Sequence, residues 1–178
     1  MLRRTKERVL PDLPEKRRVV QRIDVDQGLY DSLIGGAVEM ALQAAGAKDA
    51  FARGRLEREA VNESRRVTGI AKARFVCAFV RALLEAGEPV LLFAYHHDVW
   101  AEYEKELGPG FHPARGTGLD TTKQKDEAID AFMGRGDAYP PTTNLCMVSL
   151  RAATGLNLQR ARCVVFGELD WSPAVMSQ

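Results

Sequence analysis

Cysteine is scarce in this chain, with only Cys77, Cys146 and Cys163 among 178 residues and no C-x-x-C pair. An odd set lying among apolar neighbours excludes a disulfide scaffold and reads as buried free thiols in a reducing compartment. Long hydrophobic runs are also missing, since none approaches the roughly 18 apolar residues of a membrane span. Met1-Leu2-Arg3-Arg4 continues into more charge instead of an apolar core, which is not the pattern of a signal peptide. The expectation is a cytoplasmic protein with no membrane partner. No G-x-x-x-x-G-K-[ST] loop occurs: Gly69-Ile70-Ala71-Lys72 lacks the second glycine and the hydroxyl residue, so this chain alone cannot cradle phosphates. Lys72 reads there as a surface residue at a helix start.

Charge of one sign is absent too. A net charge of +1 advertises no polyanion partner. Basic clusters stand at Arg3-Arg4-Lys6, at Lys16-Arg17-Arg18, and at Arg53-Arg55-Arg58 with Arg65-Arg66, and each taken singly reads as a solvated face. A DNA contact needs only a local positive stripe, so the neutral total does not exclude one. What is present is ordinary for a soluble globular chain, and at this length roughly 70% of the unfolded surface can be buried in one core.

Periodicity divides the chain. Arg18 to Val25 alternates partially and predicts a short strand. Tyr30, Leu33, Ile34, Ala37 and Ala41 predict a helix from Gln27 to about Ala45. Lys48 to Ser64, rich in Arg, Glu and Ala, predicts a second helix that is largely exposed. A helix over Lys72 to Leu84 follows, then a buried strand at Val90 to Tyr95. Val99, Tyr103 and Leu107 mark another helix, Phe111 to Ala114 a brief strand, and Asp120 or Thr121 a cap for a helix ending at Gly134. Leu145 to Val148 and Cys163 to Phe166 are two more buried strands. Three segments emerge: a lead-in with the first strand at 1–26, a helical segment at 27–68, and an α/β unit at 69–178. Alternating strands and helices favour a parallel sheet covered on both faces, with ligands off the carboxyl ends of the strands.

Ser149, Gly155 and Asn157 belong at that edge. Gly155 permits close backbone approach or positive φ, and the Asn157 amide can reach sugar hydroxyls. A tight turn and its own hydrogen bonds account for both residues equally well. His96 and His97 with Asp98 follow the strand at Val90. Adjacent histidines do not share a helix face and no cysteine is near in sequence, which excludes a zinc set. Either one histidine is a satisfied strand-end residue and the other is exposed, or one donates to a DNA phosphate, and the position at the strand's carboxyl end favours the donor. Asp126-Glu127 mimics a magnesium-binding carboxylate pair but follows Lys123-Gln124-Lys125 on a helix, not an apolar strand. Glu168 and Asp170 alternate with Leu169, which favours structural roles over a catalytic pair.

Ser149 to Leu158, then Cys163 to Pro173 and Gln178, together resemble motif V and the entry to motif VI of superfamily-two helicases, most closely Swi/Snf-type DNA translocases. Leu2 to Lys16 is similar to the segment joining the two lobes of that family. Val90 to Tyr95 with His96-His97-Asp98 resembles motif IV. Gly116-Thr117-Gly118 with the Lys123 to Phe132 helix resembles the next block, with Lys123 or Lys125 in place of the family's arginine. Glu168 to Pro173 stands where the family has an acidic residue, an aromatic residue and Asn-Pro. The resemblance implies a RecA-like second motor lobe without a phosphate loop. Ser149, Arg151, His96, His97 and Thr117 would then lie near the DNA backbone, and Gly155, Asn157 and Gln178 near the nucleotide. It also implies ATP and Mg²⁺ in the full motor, held with an N-terminal RecA-like lobe, and no cofactor on this chain alone. In the family, arginines that reach the ATP phosphates follow the motif VI glutamine. Nothing follows Gln178 here, so the expectation is a lobe cut short of its arginine finger and inactive alone. A stand-alone non-catalytic module binding DNA or a protein is the alternative.

Overall fold

The computed structural model describes residues 17–108, 114–116, 120–149 and 156–169. At its centre lies a four-stranded, all-parallel sheet: β1 (Val90–Ala94), β2 (Ala114–Gly116), β3 (Leu145–Ser149) and β4 (Cys163–Phe166), in spatial order β2-β3-β1-β4. Val90-Leu91-Leu92-Phe93-Ala94 is buried at every position because side chains alternate between two covered faces.

Six helices among the described residues surround it: α1 (Gln27–Leu33), α2 (Gly35–Gly46), α3 (Ala50–Ala71), α4 (Ala73–Glu85), α5 (His97–Leu107) and α6 (Thr122–Met133). On one face, Val76, Cys77 and Val80 of α4 and Val99, Trp100, Tyr103 and Leu107 of α5 pack on Val90, Leu92, Leu145 and Met147. Leu91, Phe93, Cys146 and Val148 point to the other face, where Phe132 of α6, Leu156, Leu158 and Ala161 cover them. Phe93 and Phe166 stack with ring centroids 5.2 Å apart. The α/β parallel sheet flanked by helices is therefore as the residue pattern predicts.

Several boundaries differ. Residues 17–26 hold no strand: Val19 and Val20 are 82% and 93% exposed. Alternation makes a strand only beside a partner, and among the described residues this stretch has none; its Asp26 amide instead donates to the Ala71 carbonyl at 2.8 Å. The helix expected from Gln27 is broken at Ile34, just before Gly35-Gly36, the weak point for helix propagation. Helix α3 does not end at Ser64 but continues to Ala71, because Val67, Gly69 and Ala71 are buried and that burial outweighs the poor propensity of Val-Thr-Gly. Its last turns cross the boundary drawn between 68 and 69. Of the brief strand expected at Phe111 to Ala114, residues 111–113 lie outside the described residues, and a strand is present at Ala114–Gly116.

Candidate functional site

Because the strands are parallel and in register, Ala94 of β1 pairs with Ser149 of β3, and Phe93 with Phe166 of β4. The chain thus leaves β1, β3 and β4 at one rim. Tyr95, His96 and His97 follow β1 there, Ser149 ends β3, and Gly167 and Glu168 follow β4. This is the carboxyl edge where parallel sheets bind ligands.

The two histidines divide their duties. His97 opens α5 and is exposed. His96 is the N-cap residue, with its side chain only 9% exposed and both ring nitrogens taken up: Nδ1 lies 2.6 Å from Glu168 Oε1, and Nε2 lies 3.2 Å from Asn62 Oδ1. A carboxylate only accepts, so Nδ1 donates to Glu168, and Nε2 can bond the Asn62 oxygen only by donating as well. Of the alternatives open in the sequence, His96 takes that of the satisfied strand-end residue, and His97 is the histidine that faces solvent.

Glu168, the buried polar residue at the centre of this rim, is 3% exposed. Its Oε2 accepts the amides of Tyr95 at 2.7 Å and of His96 at 2.9 Å. Burial works against its charge, but the His96 ring and those two amides outweigh it and hold the carboxyl below the usual range. Glycine lets neighbours close in. A Cβ on Gly69 of α3 would meet Val99 Cγ2 at 2.6 Å and Glu168 Oε1 at 3.2 Å, and one on Gly167 would strike the Tyr103 hydroxyl. Lys72, between α3 and α4, is half-buried rather than a surface residue, and burial lowers its pKa while Glu168 opposes the shift. Arg65 of α3 lies 5.6 Å from the Tyr95 ring centroid and donates to the Leu169 carbonyl. Arg66 joins α3 to the start of α5, reaching Glu63 at 2.6 Å and Asp98 at 2.7 Å.

Gly155, Gln178, Arg151 and Thr117 lie outside the described residues. Asn157 is exposed between Leu156 and Leu158, whose side chains pack on the α6 face of the sheet. From there the chain reaches Arg160, which donates to the carbonyls of Phe132 at 2.9 Å and Thr143 at 3.0 Å. Asp126 and Glu127 lie exposed on α6, with Glu127 beside Lys123 at 3.8 Å, as their helical setting required. Among the described residues, no group of three or more His, Cys, Asp or Glu side chains is placed to hold a metal ion. The sequence singled out His96 and Glu168 separately; their pairing, and the part of Asn62 and Gly69, had no local signal.

Sheet order, covered faces and a shared carboxyl rim without a phosphate loop define a RecA-like lobe. The model of the helicase conserved C-terminal domain matches residues 71–178. A protein from Drosophila melanogaster, "SWI/SNF-related matrix-associated actin-dependent regulator of chromatin subfamily A-like protein 1", is 29% identical over 100% of this chain, which spans 23% of that protein's length. Among solved structures, the Sulfolobus solfataricus SWI2/SNF2 ATPase core domain superposes with a TM-score of 0.76 at 17% identity, covering 99% of this chain and 39% of that one. The Sulfolobus solfataricus SWI2/SNF2 ATPase core in complex with dsDNA gives 0.62 at 14% identity, covering 82% and 33%. The chain belongs to the helicase C-terminal domain family, as a lobe of Swi/Snf type.

Proposed function

We propose that this lobe forms half of an ATP-dependent DNA translocase, supplying DNA-backbone contacts and one wall of the nucleotide cleft. The observation that carries the reading is the in-register pairing of Ala94 with Ser149, by which the exits of β1 and β3 share a rim. His97 and Ser149 are at that rim, and we assign Arg151, Thr117 and the solvent-facing part of the His96 turn to the same DNA-facing side. Gly155, Asn157 and Gln178 are assigned to the nucleotide. The neighbour solved with double-stranded DNA supports the choice of ligand.

ATP supplies the energy of translocation and Mg²⁺ neutralises its phosphates. Both need a phosphate loop, which this sequence lacks, so we assign the phosphate and Mg²⁺ contacts to an N-terminal RecA-like lobe. The three free thiols support a cytoplasmic, reducing setting. The test combines duplex-DNA titration at several salt concentrations with an ATPase assay. The expected result is binding that weakens as salt rises, with no ATP turnover by this chain alone and DNA-stimulated turnover once a first-lobe polypeptide is added. Turnover by the pure chain, or no affinity for DNA at low salt, would sink the reading. Binding that first lobe and nucleotide leave unchanged would instead favour a stand-alone DNA-binding module.

A further inference from the structure

We propose that Arg58 of α3 is a further DNA-backbone contact, one that rests on the function proposed for this lobe and carries its DNA-facing rim outward along that helix. At 3.6 residues per turn, Arg58, Val61, Asn62, Arg65, Thr68 and Gly69 share one face of α3. No carboxylate stands on it. The three acids of this helix, Glu57, Glu59 and Glu63, lie about 100° or more round the axis from Arg58. The same face is turned to the rim: Gly69 backs onto Glu168, Arg65 lies against the Tyr95 ring and donates to the Leu169 carbonyl, and Asn62 meets the His96 ring. Followed towards its N-terminus, α3 therefore passes beyond the carboxyl edge of the sheet. Arg58 stands one turn, about 6 Å, past Asn62 on the outer side of the histidine turn.

Helical geometry also separates this arginine from the others of its cluster. Arg55 has Glu59 at 3.8 Å, and Arg66 has Glu63 at 2.6 Å and Asp98 at 2.7 Å. Arg53 has Glu57 one turn on, and Arg65 is committed to Leu169. The residues three and four places from Arg58 are Gly54, Arg55, Val61 and Asn62, so no acid can pair with it along the helix. Arg58 is exposed, and no ion pair or hydrogen bond holds its side chain among the described residues. Its guanidinium lies over Gly54, with Nη1 3.8 Å from the point a Cβ there would occupy. A planar cation left without a counter-charge, next to a surface that follows a phosphate backbone, suits a phosphate oxygen pair. Its pairing would release a DNA counterion and so leave a signature in the salt dependence of binding.

Titration of duplex DNA into the full chain, from about 50 to about 200 mM salt, reads that signature. Arg58→Ala is expected to weaken binding about three- to tenfold at the lower salt and to reduce the slope of log K against log salt by about 0.9, the worth of one duplex phosphate. Arg58→Lys keeps the charge and is expected to keep the slope. Arg53→Ala removes the same charge from another face of the same helix and is expected to change neither quantity. Circular dichroism should give all three variants the wild-type thermal midpoint, since Arg58 holds nothing in the fold. The contact is refuted if wild-type protein binds DNA and Arg58→Ala binds it with the same slope, or if Arg53→Ala lowers the slope equally, which is diffuse charge alone. Wild-type protein that does not bind DNA at low salt removes the function proposed above and this contact with it, so the two failures are read from different samples.

Discussion

Gly69 shows how much one hydrogen atom in place of a methyl group decides. Gly69→Ala places a carbon 2.6 Å from Val99 Cγ2, in a helix that is otherwise improved by alanine. Overpacking of this kind costs about 1–3 kcal/mol, which outweighs the propensity gain of about 1 kcal/mol. Urea unfolding is expected to give a lower midpoint for Gly69→Ala, whereas Gly54→Ala on the exposed part of the same helix leaves it unchanged or raised. The thiols give a second residue-scale prediction. Burial pushes Cys77 and Cys146 up to about 12, so at pH 8 an aromatic disulfide reagent should titrate half-buried Cys163 first and the other two only on unfolding. Burial opposes the Glu168 charge, but the His96 ring and the Tyr95 and His96 amides hold its carboxyl below the usual glutamate range in the fold. The stability it contributes is fully present above the usual glutamate range and is lost as pH falls through the lower, folded pKa. Glu168→Gln should therefore be less stable at neutral pH and show a shallower loss of stability on acidification, measured by denaturant unfolding between pH 6 and pH 3.

At the scale of elements, caps and burial divide the work. Helix α6 begins with a capping box: Thr121 Oγ1 accepts the Gln124 amide at 3.3 Å, and Gln124 Oε1 accepts the Thr121 amide at 2.8 Å. That is a local device, and it is why the start of α6 was legible from Asp120 or Thr121 alone. Thr121→Ala should lower stability by about 1 kcal/mol, read from the shift in thermal midpoint. The C-terminal half of α3 is the opposite case. Val67, Gly69 and Ala71 are buried there, Gly69 against Val99 of α5 and Glu168 at the rim, so a reading by propensity stops at Ser64. The stretch from Arg18 to Val25 fails for the complementary reason. It has a strand's alternation and no neighbour among the described residues, and alternation alone does not order a chain.

For the whole molecule, protection should be graded from the centre outward. Leu92, Met147 and Phe132 are buried to within 1% of completely, on opposite faces of one sheet. Native-state hydrogen exchange is expected to be slowest at Leu91–Phe93 and Cys146–Val148 and fastest over 17–26, and equal rates in the two regions would contradict a single layered core. The layered architecture and the rim on which Ser149 and His97 sit follow from local pattern. Continuous apolar runs separated by helical periods admit a parallel sheet covered on both faces, and such a sheet has one ligand edge. The sequence therefore determined the fold class, the alternation of strand and helix in the sheet-bearing part, and the side of the sheet that carries the site. Tertiary structure alone decided that His96 turns inward to Glu168 while His97 stays outside, and that Lys72 is half-buried. The reason is physical: these outcomes depend on contacts between groups as far apart as Asn62, His96 and Glu168, and no periodicity within a single segment encodes which side chain will be waiting when distant elements close on one another.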